Sequence, residues 1–349
     1  MIVFNSTIRT AISVDKTTIM PLAYAQVPEA LTADPSILRH IKMGNLKLMA
    51  NADVLTPERI MAKAYEEGNV VIRRNVAFGD VLLCSAIAAN IKEYGKVNIF
   101  FITDSNAYEL VRYDPNIKYV RWAGEATEAI SLYRNYINLN NVPESYEETN
   151  RGHLELNRIE IMCWHLGIPV TTQCPEYFIR EGEIAAGRQL LSKYKPPFLG
   201  LCPKATRIER MWPIENYPAI AKEWKSQTGG TAFYFSNSRI AALEKDCVPI
   251  VYDIRFAAAV AYSMGKMLTV DSLWCHLAAA LNVPQVIMAS ATDGYLLSKG
   301  YDNCIVLQGH KPCSPCWYMF SKGGCSRDNY SKCLLELEQE RVINALWQL

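Results

Sequence analysis

The chain lacks an excess of charge of either sign. Its 349 residues hold 36 Lys and Arg against 35 Asp and Glu, so nothing resembles the basic footprint of a dedicated nucleic-acid binder. It also lacks an apolar run long enough to span a bilayer. The N-terminus has no basic stretch followed by a long apolar one, the pattern of a signal peptide. These absences predict a soluble, cytoplasmic protein without a membrane span. Repeats and low-complexity segments are missing as well. Half of the residues are hydrophobic, which supports one or more sizeable cores and two or three domains. Cysteine, by contrast, is abundant at eleven residues. Cys84, Cys163, Cys174, Cys202, Cys247 and Cys275 are scattered and read as small buried apolar side chains. The other five fall between 304 and 333.

The texture of the chain changes along its length. Residues 1–55 hold short β-rich runs (Met1–Phe4, Thr7–Val14, Thr18–Met20, Leu46–Met49) broken by turn residues and read as a small β-rich module. Thr56-Pro57-Glu58 then opens a helix that ends near Gly68. Residues 56–170 alternate strand and helix. Val70–Ile72 reads as a buried strand, Asp80–Tyr94 as a helix with Leu83, Ile87, Ile91 and Tyr94 on one face, and Ala107–Arg112 and His153–Leu166 as further helices. After a linker over 171–183, a second alternating set occupies 183–303. A cysteine-rich stretch (304–333) and a last helix (about Cys333–Gln348, within 334–349) close the chain. Two successive α/β sets predict two Rossmann-like domains facing a cleft, where open parallel sheets bind ligands.

The most informative stretch runs from Val270 to Pro284. Met267–Val270 suits a buried strand, and Asp271 and Ser272 are N-cap types that open a short helix. Such a junction aims free backbone N–H groups and the positive helix end at one point, which suits a phosphate. An ordinary capped helix would look the same.

Three motifs carry a resemblance. They are Asn75-Val76-Ala77-Phe78-Gly79-Asp80-Val81-Leu82-Leu83, Arg210-Met211-Trp212-Pro213-Ile214-Glu215-Asn216-Tyr217, and Asp271-Ser272-Leu273-Trp274-Cys275-His276-Leu277-Ala278-Ala279-Ala280. In this order and spacing, residues 69–349 resemble glycosyltransferase family 9, the heptosyltransferase family. The resemblance implies a GT-B fold and an inverting transfer of a heptose-like sugar from a nucleotide-diphosphate sugar, ADP-heptose-like, to an acceptor hydroxyl. The acceptor stays open between protein, saccharide, lipid-linked sugar and a modified base of phage DNA. A non-catalytic GT-B-like binding or assembly module is the alternative of another class. Residues 1–55 lie outside the resemblance and suggest docking or homo-oligomerisation.

Transfer needs a base, a positioned donor and a neutralised leaving diphosphate. Asp80 is the candidate base, with a plain helix cap as the competing role. A helix start also lowers a carboxylate's pKa and weakens it as a base. Arg210 is the candidate diphosphate clamp and Lys204 the runner-up; solvated loop charge is the ordinary fate of both types. Asp271, Ser272 and the N–H groups of 272–275 would hold the diphosphate. Leu273 stands where the family has glycine, so the backbone would approach the diphosphate differently. His276 would donate to a phosphate oxygen or serve as a core histidine. Trp212 and Pro213 read as structural.

Cys313, Cys316, Cys325 and Cys333 have the spacing C-x2-C-x8-C-x7-C. In a reducing compartment this favours a tetrahedral thiolate site for structural zinc or iron over disulfides, with packed free thiols as the alternative. Some autotransporter heptosyltransferases of the resembling family carry a comparable four-cysteine finger with different spacing.

Overall fold

A computed structural model describes residues 2–5, 12–14, 17–19, 24–26, 35–43, 45–49, 56–75, 77–122, 135–150, 153–309, 311–316, 325 and 329–349. The first 49 residues contain β1 (Ile2–Asn5), β2 (Ile12–Val14), β3 (Thr17–Ile19), β4 (Tyr24–Gln26), a helix α1 (Pro35–Lys42) and β5 (Leu46–Met49). β1 pairs antiparallel with β4 and β5, and β2 with β3. Helix α1 was not legible in the β-rich texture; its Ile37 is fully buried.

The next set is α2 (Pro57–Glu67), β6 (Asn69–Arg73), α3 (Phe78–Tyr94), β7 (Asn98–Thr103), β8 (Ile117–Trp122), β9 (Tyr136–Asn138), α4 (Val142–Thr149) and α5 (Arg158–Leu166). The four strands form one parallel sheet in the order β8-β7-β6-β9. Thr56 caps α2 as expected, and Gly68 ends it with a left-handed φ of 78°. Three boundaries differ from the sequence reading. Helix α3 starts two residues early, at Phe78, and is buried around most of its circumference; Tyr94 lies exposed at its end. Residues 107–112 form only a 3-10 turn over Tyr108–Leu110. Helix α5 starts at Arg158 rather than near 153, because Asn157 and Glu160 form a reciprocal capping box.

The second set is α6 (Glu181–Leu191), β10 (Phe198–Cys202), α7 (Tyr217–Thr228), β11 (Thr231–Phe235), β12 (Val248–Ile250), α8 (Ile254–Ala261), β13 (Lys266–Val270), α9 (Leu273–Ala280), β14 (Gln285–Ala289), α10 (Gly294–Leu297), β15 (Cys304–Gln308), α11 (Lys332–Leu335) and α12 (Gln339–Gln348). Six parallel strands run β12-β11-β10-β13-β14-β15. The sixth corrects the expected start of the cysteine stretch, since Cys304–Gln308 is the sheet's edge strand. The last helix is also two. The chain bends where Leu337 turns into the core and its carbonyl accepts the Trp212 indole N–H at 3.1 Å.

Alternation along the strands sorts the second sheet's faces. Leu199, Leu201, Leu268 and Val270 point to one side and pack with Trp212, Tyr217, Trp224 and the α12 residues Val342 and Leu346. Cys202, Phe233, Phe235 and Met267 point to the other. There they join α8, α9 and the apolar residues of the first set in one continuous buried cluster. Among the described residues, no helix is long and apolar enough to cross a membrane.

Helix α6 meets α8 at Gly187. A Cβ added there would lie 2.7 Å from the Ala259 carbonyl oxygen and 2.8 Å from its carbon, both backbone atoms that cannot swing aside. Gly187→Ala should therefore destabilise the protein by about 1–3 kcal/mol, the usual cost of overpacking. Urea unfolding checks this; a midpoint equal to wild type would show that the two helices can separate freely.

Candidate active site

Each parallel sheet reverses its winding direction at one place. In the first sheet the chain runs β6, β7, β8 to one side and returns as β9 on the other side of β6; in the second, β10, β11 and β12 lie to one side and β13 to the other. Loops leaving the carboxyl ends of such neighbouring strands diverge and leave a crevice. The two crevices face each other across a cleft of about 1100 Å³. Asp80, Lys204, Arg210, Asp271, Ser272, Leu273 and His276 all line it.

One wall is the β13–α9 junction. Ser272, not Asp271, is the cap of α9, its Oγ accepting the Trp274 N–H at 3.3 Å. Asp271 instead turns sideways, accepts the Thr292 hydroxyl at 2.6 Å and lies 3.4 Å from Arg210 Nη1. Leu273 is the first residue of α9, and among the described residues the non-glycine ones with positive φ are Ala77, Asn141, Asn282 and Asn303. The backbone at Leu273 thus makes no demand for glycine. Lys204 stands exposed on the loop after β10. Phe235, Ile250 and Tyr252 supply an apolar end to the cleft. Trp212 is fully buried, which confirms its structural reading.

His276 is a junction between the walls. Its Nδ1 is hydrogen-bonded to the Tyr301 hydroxyl at 2.5 Å. Its ring lies against Gly79, where a Cβ would meet the imidazole Cδ2 at 2.8 Å. The room left by Gly79 is therefore filled by His276. Burial lowers the histidine's pKa against the opposing pull of Asp271 and Asp80, so the ring is neutral at physiological pH.

The facing wall is an ionic network. Arg74, fully buried at the end of β6, donates to Asp80 Oδ2 at 2.8 Å, to both oxygens of Glu144 at 2.6 and 3.2 Å, and to the Leu139 carbonyl at 2.9 Å. Arg158 donates through Nη1 to both oxygens of Asp80 at 2.6 and 2.8 Å and through Nε and Nη2 to Glu147, each at 2.7 Å. Asp80 is therefore neither cap nor free base. Ala77 is the N-cap position of α3, with φ 63°, and no side chain caps the helix. Burial alone would raise the Asp80 pKa, but Arg158 and Arg74 overcome it and hold the carboxyl at about 2. Glu147 goes the other way: burial raises it, Arg158 opposes, and Asp80 and Glu144 add to the rise. Sequence reasoning missed Arg74, Arg158, Glu144 and Glu147. The Asn157–Glu160 capping pattern would have put Arg158 at the first position of its helix.

The cysteines lie apart from the cleft lining. Cys333 is buried beneath Gly309, and burial raises its pKa, with the charges of Cys325 and Cys313 adding. The Lys332 N–H reaches Cys325 Sγ at 3.5 Å. Among the described residues, however, no three His, Cys, Asp or Glu side chains form a group that could hold a metal ion. The expected closed set of Cys313, Cys316, Cys325 and Cys333 is therefore not seen as a metal cluster among the described residues.

Residues 153–325 match the family model of glycosyltransferase family 9 (heptosyltransferase). Among solved structures, the glycosyl transferase family 9 protein of Veillonella parvula is similar with a TM-score of 0.63 at 15% identity, covering 82% of this chain and 97% of that one. The E. coli ADP-heptose lipopolysaccharide heptosyltransferase II gives 0.62 at 15%, covering 80% and 98%. The iron-containing dodecameric glycosyltransferase TibC of enterotoxigenic E. coli gives 0.58 at 10%, covering 80% and 75%. No curated protein sequence gives a significant match. At these identities the structural likenesses establish the fold, two Rossmann-like domains of the GT-B type.

The Asp80 clamp makes stability depend on acid. Its folded pKa of about 2 lies below the ordinary 3.8, so the clamp stabilises the fold in full above about pH 5 and loses that stabilisation between about pH 4 and pH 2, an effect of about 2 kcal/mol. Asp80→Asn lacks it at every pH. The gap between wild-type and variant urea midpoints should therefore be widest at pH 6, reduced to about half at pH 3 and smallest near pH 2. A gap independent of pH would remove the ion pairs from the stability of this wall.

Proposed function

We propose that this chain, a glycosyltransferase resembling family 9, moves a sugar from a nucleoside-diphosphate donor to an acceptor hydroxyl with inversion at the anomeric carbon. The observation that carries this reading is the opposition of two unlike walls across one cleft. On one side the positive end of α9, with Arg210 and Lys204, suits a departing diphosphate. On the other side stand carboxylates suited to an attacking hydroxyl. Attack from one wall and departure towards the other is an in-line displacement, which inverts the carbon.

An ADP-sugar is the first donor to try, because one structural relative is an ADP-heptose enzyme. The apolar end of the cleft around Phe235, Ile250 and Tyr252 is where we place the base. Among the described residues, Asp80, Glu144 and Glu147 of the acceptor side are each paired with Arg74 or Arg158. A wall built from carboxylates favours a hydroxyl on protein or neutral saccharide over a phosphate-rich acceptor such as DNA.

Thermal shift with ADP-, UDP- and GDP-sugars, followed by an assay for nucleoside diphosphate release, tests the reading. One donor class should raise the melting temperature and be turned over. Arg210→Ala should weaken binding of the matching nucleoside diphosphate by about tenfold or more, the loss of one charge-assisted contact. Equal affinities by calorimetry would move the clamp to Lys204. Absence of stabilisation and of release with all three donors would overturn the function.

A further inference from the structure

The two ring nitrogens of His276 have different surroundings. Nδ1 lies 2.5 Å from the Tyr301 hydroxyl. Nε2 has no hydrogen-bond partner among the described residues, and the residue lines the cleft. The ring is held against turning over. Its Cδ2 edge is seated on Gly79, where a Cβ would lie 2.8 Å away, and a half-turn would exchange Nδ1 for Cδ2 and leave a C–H facing the phenol. The phenol is held as well. Tyr301 is 9% exposed and packs with Cys275 and Ile287, with Leu297 and Cys304 alongside. Gly300 before it has a left-handed φ of 85° and is pressed against Gln173, whose Cβ would stand 2.6 Å from an added one. The Tyr301 N–H donates to the Ser298 carbonyl at 2.8 Å.

A phenol carries one proton, and a neutral imidazole carries one more. With Nδ1 protonated, the phenol would have to accept, and its own proton would be left among apolar and sulfur atoms at a loss of about 1–3 kcal/mol. With the phenol donating, its proton and the Nδ1 lone pair are both satisfied, and the imidazole proton stands on Nε2. We infer that Tyr301 is a positioning residue: its hydroxyl donates to His276 Nδ1 and so presents the Nε2–H to the cleft as an uncharged donor to a diphosphate oxygen of the sugar nucleotide. The role in transfer rests on the glycosyl-transfer reading above; the tautomer does not. As the bond from the anomeric carbon to the diphosphate oxygen breaks, its electron pair leaves on the diphosphate, and an N–H already aimed there gains strength without reorganisation. In the other tautomer a lone pair would face the growing negative charge. Burial favours the neutral ring, so the tautomer, and not a charge, decides what His276 offers.

The test uses the full chain with isotope-labelled histidine and nitrogen NMR near neutral pH. The sequence has five histidines, and His276→Gln assigns the pair of signals that disappears. Wild type should show a bare Nδ1 and a protonated Nε2 at His276. In Tyr301→Phe both signals should move towards the averaged values of exchanging tautomers. Nucleoside diphosphate release, from whichever of the ADP-, UDP- and GDP-sugars wild type turns over, should fall about tenfold in Tyr301→Phe, the loss of one hydrogen bond's worth of stabilisation, with donor KM within about threefold. A glutamine side chain can place an N–H near Nε2 and needs no tautomer, so the same Tyr301→Phe change made in His276→Gln should lower release by less than about twofold. Equal losses in the two backgrounds would mean that the phenol only packs, and would overturn the inference. A protonated Nδ1 in wild type overturns it too, whether or not Tyr301→Phe folds. An active wild type whose Tyr301→Phe variant stays within about twofold overturns this inference alone. A wild type that turns over none of the three donors overturns the functional reading, and the role of Tyr301 in transfer with it.

Discussion

A guanidinium with no access to water must be neutralised where it stands. Arg74 is fully buried at the carboxyl end of β6, and the acceptor wall is organised around that requirement. Its counter-charges come from Asp80 in the first turn of α3 and Glu144 in the first turn of α4, and a further acceptor is the Leu139 carbonyl after β9. Those are the elements that flank the first sheet's crevice. Arg158 repeats the device from α5, joining Asp80 to Glu147. Breaking a buried pair from one side is costly, about 3–5 kcal/mol, because the other charge is left alone. The network therefore fixes the geometry of four elements at once. It also makes the carboxylate that looks most catalytic in the sequence the one least able to change its protonation.

The two walls are tied to each other as well. His276 fits against Gly79, Lys299 pairs with Glu160 at 2.5 Å, and Asn157 donates to the Lys299 carbonyl at 3.4 Å. On the far side Arg255 of α8 donates to the Phe178 carbonyl at 2.9 Å and to Glu109 O at 3.4 Å, and lies over the rings of Tyr113 and Tyr177. The cleft is thus framed by polar ties at several points along its length.

Most of the architecture was legible because its signals are local. Strands such as Phe198–Cys202 and Met267–Val270 announce themselves as short apolar runs, and Thr56-Pro57 and Ser272 mark helix starts by their own chemistry. Asp271, Ser272, Leu273 and His276 follow one strand–helix junction, so motif reading found them together. What was not legible depends on pairing across the fold. Arg73 and Arg74 are adjacent and alike in sequence, yet only Arg74 turns inward, a fact set by Asp80 and by Glu144 seventy positions on. Asp80 looked like a cap because helix-start residues usually are; Ala77, in an unusual left-handed conformation, took that position instead. Glu144 and Glu147 lie one turn apart on a helix that carried no motif. The thiol spacing suggested a ligand set, but spacing alone does not fix where four sulfurs point.

The buried apolar cluster that runs unbroken from α2 and α3 through α9 to the inner face of the second sheet also bears on how the protein is partitioned. The linker over 171–183 looks like a seam between two modules, but a seam is where few contacts cross. Here the buried apolar cluster spans the supposed seam, so residues of both Rossmann-like sets share one core. A large-to-small substitution in that shared core would be felt by both sets at once.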